Sequence, residues 1–423
     1  MTPEGAVVDH RATGRVDGLL VTAGLFAANV ASYAFTAVAA RALTPAVFGE
    51  LSALLALLVV GIVPAVSLQT AVALRIARAG SRETPALLGL GLSVAVGWTA
   101  LGVLVAPALV PLLHLDGVAP ALWLAASLAP LTVLGLFHGL LQGRRRFRAL
   151  AALVCLEGTG KIGGGAAGLL LGGSSEAALA GTASGSAAVA LVGWLVCGRP
   201  RPARPQRHSA AEALHAAQAV LALVLLVNLD LVLARHHLTG PQAGQHAVGS
   251  VVTKIAYWLP QAVGVLALPR LADPAARRGV LPLALAVCAA LDAAVVLGAA
   301  LFGPAAVVLI GGGAYAGTPV PVWCFALTGS FLALVQLLLF AALAGADRGA
   351  TAAVWLAVGL EIVLVAGWLH DSPAAVVAAA CVATGLLVLA GVALEHRARQ
   401  RSSPANGPKQ EDTTADTAIS RAP

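Results

Sequence analysis

Apolar residues in this chain come in continuous runs, with no alternation of polar and apolar positions, and short polar or proline-containing breaks divide them. Each run is long enough for the roughly 20 helical residues that cross a bilayer. In hydrocarbon every backbone N–H and C=O must be paired within the protein, so such runs are helices or a closed barrel. A barrel needs alternating segments of about ten residues, and this pattern excludes it. The breaks predict spans at 18–42, 51–74, 85–111, 119–141, 149–172 and 177–198, then 213–234, 246–269, 279–302, 319–343, 351–370 and 374–394. The expected fold is an all-α polytopic membrane protein with about twelve transmembrane helices. The first run is too long for a cleavable signal and is expected to stay as the first helix.

Composition agrees with that class. Apolar residues make up 59% of the chain and charged ones 11%, against about 45–50% and about 25% in a soluble domain. The 46 glycines suit helices that pack through small residues in lipid. Five cysteines, Cys155, Cys197, Cys288, Cys324 and Cys381, all lie in apolar spans without a C-x-x-C pair. They read as small buried hydrophobes.

A net charge of +7 would suggest nucleic acid in a soluble protein, but placement argues for membrane topology. With residues 1–17 inside, 22 of the 26 Lys and Arg fall on cytoplasmic segments. The positive-inside rule then puts both termini in the cytoplasm of a plasma or inner membrane protein. Arg144, Arg145 and Arg146, and the run from Arg199 to Arg207, are expected to anchor against anionic lipid, with no nucleic-acid partner. Residues 199–212 form a Pro- and Arg-rich cytoplasmic linker at the chain midpoint. Residues 395–423 lack apolar periodicity and are expected to be a disordered cytoplasmic tail. The predicted domains are thus a six-helix lobe at 18–198 and another at 213–394.

Two stretches flanking the linker match. In ARALTPAVFGELSALLALLVVGIVPAVSLQTAVALRIA and ARHHLTGPQAGQHAVGSVVTKIAYWLPQAVGVLALPRLA, Leu43, Thr44, Gly49 and Arg75 fall on Leu238, Thr239, Gly244 and Arg270, each displaced by 195. Pro64 and Pro260 miss that register by one. Six spans per repeat is even, so the repeats are parallel and related by an axis along the membrane normal.

The same residues carry a family resemblance. Asn29–Tyr33, then ARALTPAVFGELSALLAL, then LQTAVALRIA, and in the second half NLDLVLARHHLTGPQAG and KIAYWLPQAVGVLALPRLA, resemble polysaccharide-type flippases. These belong to the multidrug/oligosaccharidyl-lipid/polysaccharide exporter superfamily. The resemblance implies two lobes around a central cavity and flipping of an undecaprenyl-pyrophosphate-linked saccharide to the outer leaflet. It implies no cofactor. The peptidoglycan-precursor flippases of this superfamily usually carry two further C-terminal helices, which the twelve-span pattern lacks. A cation-coupled multidrug or metabolite antiporter of the same superfamily is the alternative. A polytopic enzyme would show a large outer loop with clustered acids, and the longest expected outer loop, residues 303–318, has no carboxylate.

Candidate site residues are the polar ones inside spans. Ser250, Lys254, Tyr257 and Gln261 fall on one helical face. A mid-span lysine costs roughly 2.5–3.5 kcal/mol, which points to a water-filled cavity or an ionic partner. Under the family resemblance this stripe meets the pyrophosphate and the sugar hydroxyls; otherwise Lys254 snorkels or pairs with an acid. Asn29, Ser32, Tyr33 and Thr36 form a second stripe, either lining the cavity or bonding between helices. Glu157 and Lys161 have ion-pair spacing. They are either a structural bridge or a pyrophosphate contact with a proton-binding acid beside it. Gly158-Thr-Gly-Lys161 lacks the spacing of a phosphate loop and gives no nucleotide site. Asp230 either pairs with Arg235 or is hydrated, and with Glu157 it is also a candidate ion-coupling acid. Asp292 and Glu361 have no local partner and are candidate proton or sodium sites, because burial favours the neutral carboxyl. Arg41 and Arg235 either line an outer gate or anchor at the interface. His236, His237 and His246 read as loop residues without a ligand pattern, and no metal site is expected.

Overall fold

The computed structural model describes residues 31–79, 84–203, 210–261, 263, 274–317, 320–344 and 349–402. The helices in chain order are α1 (31–42), α2 (Pro45–Gly61), α3 (Val63–Ala79), α4 (Thr84–Leu113), α5 (Ala119–Gly143), α6 (Phe147–Gly172) and α7 (Ser175–Val196). The second half has α8 (Ala210–His237), α9 (Gly240–Trp258), α10 (Pro274–Gly311), α11 (Val322–Ala344), α12 (Gly349–Gly367) and α13 (Pro373–Ser402). Counting α2–α3 as one broken span gives six segments on each side of the linker, and no strand occurs among the described residues. Among these residues, nine helices are long and apolar enough to cross a membrane. The segments outside that set include α6, with Glu157, Lys161 and its glycines, and α9, with His246 and Lys254. Residues 1–30 and 403–423, with the expected cytoplasmic N-terminus and most of the tail, lie outside the described residues, as does Arg270.

The repeated L-T turn has a local cause. Thr44 and Thr239 are the N-caps of α2 and α9, both extended in backbone, and each helix carries a proline in its first turn. Proline is tolerated there because that N–H has no intrahelical partner. Gln242 Oε1 accepts from the Thr239 N–H (3.1 Å) and from its hydroxyl (2.9 Å). The central prolines also act alike. Pro64 lacks an N–H and crowds the carbonyl four residues back, so the span breaks at Ile62. There Ala65 bonds to the Ile62 carbonyl at 3.0 Å. The Gly61 carbonyl left over takes the Trp98 indole N–H at 2.7 Å. In the second half α9 stops at Trp258, two residues before Pro260.

Small residues set the closest packing. On α6, Gly160, Gly164 and Gly168 lie against Gly185, Gly181 and Ala177 of α7, backbone to backbone. A Cβ on Gly164 would overlap the Gly181 carbonyl, whereas a Cβ on Gly163 meets nothing within 4 Å. Gly164→Ala should therefore lower the melting temperature of the purified protein, at a cost of about 1–3 kcal/mol for overpacking. Gly163→Ala should melt like the wild type. Equal melting of the two variants would show that the ridge does not hold α6 to α7.

The halves meet through equivalent helices of the repeat. α2 packs on α9, and a Cβ on Gly49 would lie 2.7 Å from the Gly244 nitrogen, its partner in the repeat. One expectation fails: α10 continues through Pro304 to Gly311, so most of the loop expected at 303–318 is helix, followed by a 3-10 turn at Gly313–Tyr315. Proline removes one hydrogen bond, but the apolar run after it keeps the helix going, with Val307 buried. The helix stops where Gly312 adopts φ 79° and its N–H bonds to Val308. At the opposite end, α13 runs to Ser402.

Candidate functional site

Arg41 and Arg235 are reciprocal clamps between the halves. Arg41, at the end of α1, donates to the Leu309 carbonyl in the last turn of α10. Arg235, near the end of α8, donates through Nε to Leu113 (2.8 Å) and through Nη2 to His114 (3.0 Å), at the end of α4. Each half thus caps the third span of the other, where helix C-termini leave carbonyls without partners and favour a cation. Arg235 also reaches the Ala46 carbonyl (3.3 Å) and the Glu50 carboxylate (3.4 Å). Ser175 of α7 donates to the same carboxylate. Asp230, expected beside Arg235, does not pair with it. Beside the clamp, His114 stacks on His236, which contacts His237, which contacts His370 (ring centroids 5.8, 4.7 and 5.3 Å). A cavity of about 490 Å³ opens there, lined by Glu50, Asp116, Arg235 and these first three histidines among others. Basic residues close the other end too. Arg144 and Arg146 donate to the Cys197 and Val196 carbonyls at the end of α7. Arg144 and Arg146, both in the first run expected to anchor against lipid, therefore also cap a helix.

Between the ends, the two polar stripes touch. The Tyr33 hydroxyl donates to the Lys254 backbone carbonyl at 3.4 Å, joining α1 to α9 across the halves. Lys254 is half-buried, and Ser250, one turn before it, is 2% exposed with its hydroxyl unbonded among the described residues. Thr36 bonds its own helix at Ser32. Asn29 lies outside the described residues. Tyr257 does not open to a cavity with Lys254; it is buried among Leu226, Val227 and Leu332. With Gln261 it meets Gln336 and Cys288 in a small, nearly filled recess.

A buried acid cluster lies within the second half. His246 is on α9, not in a loop, because α9 begins at Gly240. Fully buried, it bonds to Asp230 of α8, Nε2 to Oδ2, at 3.0 Å. Asp230 also acts electrostatically on Lys254 and on Glu361 of α12. Glu361 is 0% exposed, and neither of its oxygens has a hydrogen bond among the described residues. Asp292, 3% exposed on α10, faces Ser330 of α11 and stands apart from the cluster.

The first half holds a cavity of about 520 Å³ between α3, α5 and α6. Glu157 lines it and lies 3.6 Å from Nε2 of His138 on α5, so its ionic neighbour is across the helix packing. No ion pair joins Glu157 to Lys161. Lys161 is half-buried one turn farther along α6. Gln69 and Gln142 also line the cavity, with Gln69 Nε2 donating to Gln142 Oε1 at 3.1 Å.

Sequence reasoning missed Glu50 and His138. Glu50 aligns with Gln245 in the repeat, so the repeat gave no sign of charge there. His138 was a lone polar residue in an apolar run, and only its neighbour on α6 gives it a role. Among the described residues no group of three His, Cys, Asp or Glu is arranged to hold a metal.

No family model matches the sequence, and no curated protein does. Solved structures do match. An inward-facing multidrug resistance MATE family transporter of the MOP superfamily superposes with a TM-score of 0.68 and 15% identity, over 88% of this chain and 95% of that one. The lipid II flippase MurJ in an inward closed conformation gives 0.72 and 12%, over 89% and 87%. A point mutant of the Vibrio cholerae MATE transporter VcmN gives 0.59 and 14%, over 92% and 95%. At such identities the likeness concerns the fold. The chain has the fold of the MOP superfamily transporters, all-α with two six-helix halves.

Proposed function

We propose that this protein is a flippase for a lipid-linked oligosaccharide or polysaccharide unit, carried on undecaprenyl pyrophosphate and moved to the outer leaflet by alternating access. The observation that supports it is the hydrogen bond from the Tyr33 hydroxyl to the Lys254 backbone carbonyl, which sets the helix turn that carries this lysine against the other half. A membrane-embedded cation there would meet a pyrophosphate in transit. The lobes are residues 18–198 and 213–394 joined by the linker 199–212, with both termini cytoplasmic in a plasma or inner membrane. Lys254, Ser250, Lys161 and Tyr33 contact substrate, while Arg41 and Arg235 hold the outer end closed. The role is transport without catalysis.

Asp230 and Glu361 form the coupling site. An ionised, unpaired carboxylate in an apolar interior is strongly disfavoured, so Glu361 carries a proton or neighbours a cation. Asp292 is the second choice for that role. The same cluster favours the alternative reading, a cation-coupled multidrug or metabolite antiporter, and one experiment separates the two. Proteoliposomes loaded with an undecaprenyl-pyrophosphate oligosaccharide should expose its headgroup to an added hydrolase in a protein-dependent way. They should not move ethidium under a proton or sodium gradient. Gradient-driven ethidium transport without headgroup movement would replace the flippase reading with the antiporter. In cells, a cysteine at Asp371 should react with an impermeant thiol reagent and one at Arg201 should not; the reverse would invert the topology.

A further inference from the structure

We propose that the cavity between α3, α5 and α6 binds the saccharide of the carried lipid, and that it selects a neutral or amino sugar over an acidic one. This rests on the flippase reading and deepens it. The volume, about 520 Å³, lies within the roughly 300–1,000 Å³ of small-molecule sites and accommodates a short saccharide. Its wall is mostly aliphatic, but the polar groups it holds are the kind that bind hydroxyls. Glu157 offers carboxylate oxygens and His138 an imidazole nitrogen. The Gln69–Gln142 bond uses one donor and one acceptor, leaving the Gln69 carbonyl and the Gln142 amide hydrogens free to take part.

Two details point to a ligand rather than to packing. The His138 side chain is 6% exposed, and its Nε2 makes no hydrogen bond among the described residues. A buried polar atom without a partner carries a penalty that a bound group removes. The 3.6 Å gap between that atom and Glu157 Oε2 is too wide for a direct bond. A ligand hydroxyl set beside both bonds to the imidazole and donates to the carboxylate. Phe147 supplies an aromatic surface at the same cavity for the apolar face of a sugar ring.

Charge selects among sugars. Glu157 is the carboxyl group lining the cavity, and no Lys or Arg lines it among the described residues. Between apolar walls, repulsion between two carboxylates is far stronger than in water, so a uronic acid is rejected. A hydroxyl or an ammonium at that position is accepted. The pyrophosphate belongs with Lys254, in the other part of the site.

Binding to the full-length protein in nanodiscs tests this with three probes: farnesyl pyrophosphate alone, and the same carrier bearing N-acetylglucosamine or glucuronic acid. The N-acetylglucosamine form should bind about tenfold tighter than the bare carrier, and the glucuronic acid form no tighter. Glu157→Gln and Gln69→Ala should each remove most of that tenfold gain while leaving bare-carrier affinity unchanged. Glu157→Gln should also relax discrimination against glucuronic acid. If the bare carrier binds but the sugar adds nothing, or if both variants keep the gain, the sugar site is wrong and the flippase reading stands. If the bare carrier fails to bind wild type, the flippase reading falls and the sugar site with it. Tetraphenylphosphonium binding that is lost in Glu157→Gln would show instead that the cavity takes organic cations.

Discussion

Lys254→Ala should reduce headgroup translocation by at least tenfold while the protein reaches the membrane in normal amount. A pyrophosphate brings about two negative charges between the halves, and one unit pair at 4 Å is worth about 4 kcal/mol at an effective dielectric of 20. Losing even a third of that is about 1.4 kcal/mol, a factor of ten. Lys254→Arg should retain part of the activity, since the charge survives while its position shifts. Tyr33→Phe, which removes a single long hydrogen bond to the Lys254 backbone, should cost much less. The measurement is the proteoliposome hydrolase assay beside complementation of a flippase-deficient strain. Under the antiporter reading the acids govern instead, so Asp230→Asn, Asp292→Asn or Glu361→Gln would be the damaging changes. Full activity in Lys254→Ala, with loss in one of those acid variants, would remove the lysine from the substrate path.

Arg235→Ala is expected to have the largest effect on stability. The residue is 8% exposed and joins α8 to Leu113, His114, Ala46 and Glu50 of the other half. Removing it strands the Glu50 carboxylate, itself 8% exposed, with only the Ser175 hydroxyl among the described residues. Breaking one partner out of a buried pair costs about 3–5 kcal/mol. The melting temperature should fall by several degrees, and a cysteine at Ala46, under the clamp, should react faster with a thiol reagent. Arg235→Lys should recover part of both, because a single ammonium cannot span the carbonyls that the guanidinium fork reaches. Arg41→Ala should do less, since its bond to the α10 terminus is exposed. An Arg235→Ala protein that melts and labels like wild type would show that this end is held by apolar packing alone.

The contrast between these arginines and the acids shows where the sequence was legible. Arg41 and Arg235 stood out because they are the two basic residues that the predicted spans leave on the side opposite the other 22, and both cap a helix of the opposite half. For Asp230, its own helix offered Arg235, five residues away, or hydration. The structure gives it His246, sixteen residues away on α9. Likewise Glu157 had a partner at helical spacing in Lys161 and instead faces His138 on α5. Spacing along one helix reports which side chains share a face. It does not report which helix that face will meet.

The sequence by itself determined the helical class, because unbroken apolar runs leave the backbone no other way to satisfy its hydrogen bonds in lipid. It determined the two six-helix halves through the paired L-T turns and central prolines, which act locally as N-caps and breaks. Only the tertiary structure decided how far α10 runs past Pro304 and which orphan carbonyls Arg41 and Arg235 cap. It also decided that His138 and Glu157 share a cavity, and that Tyr257 faces a packed core while Lys254 meets Tyr33. The physical reason is the same in each case. Helix formation is a matter of neighbours in sequence, whereas pairing of buried polar groups depends on which helices pack together. In lipid that is settled by shape, through contacts such as Gly49 on Gly244 and Gly164 on Gly181.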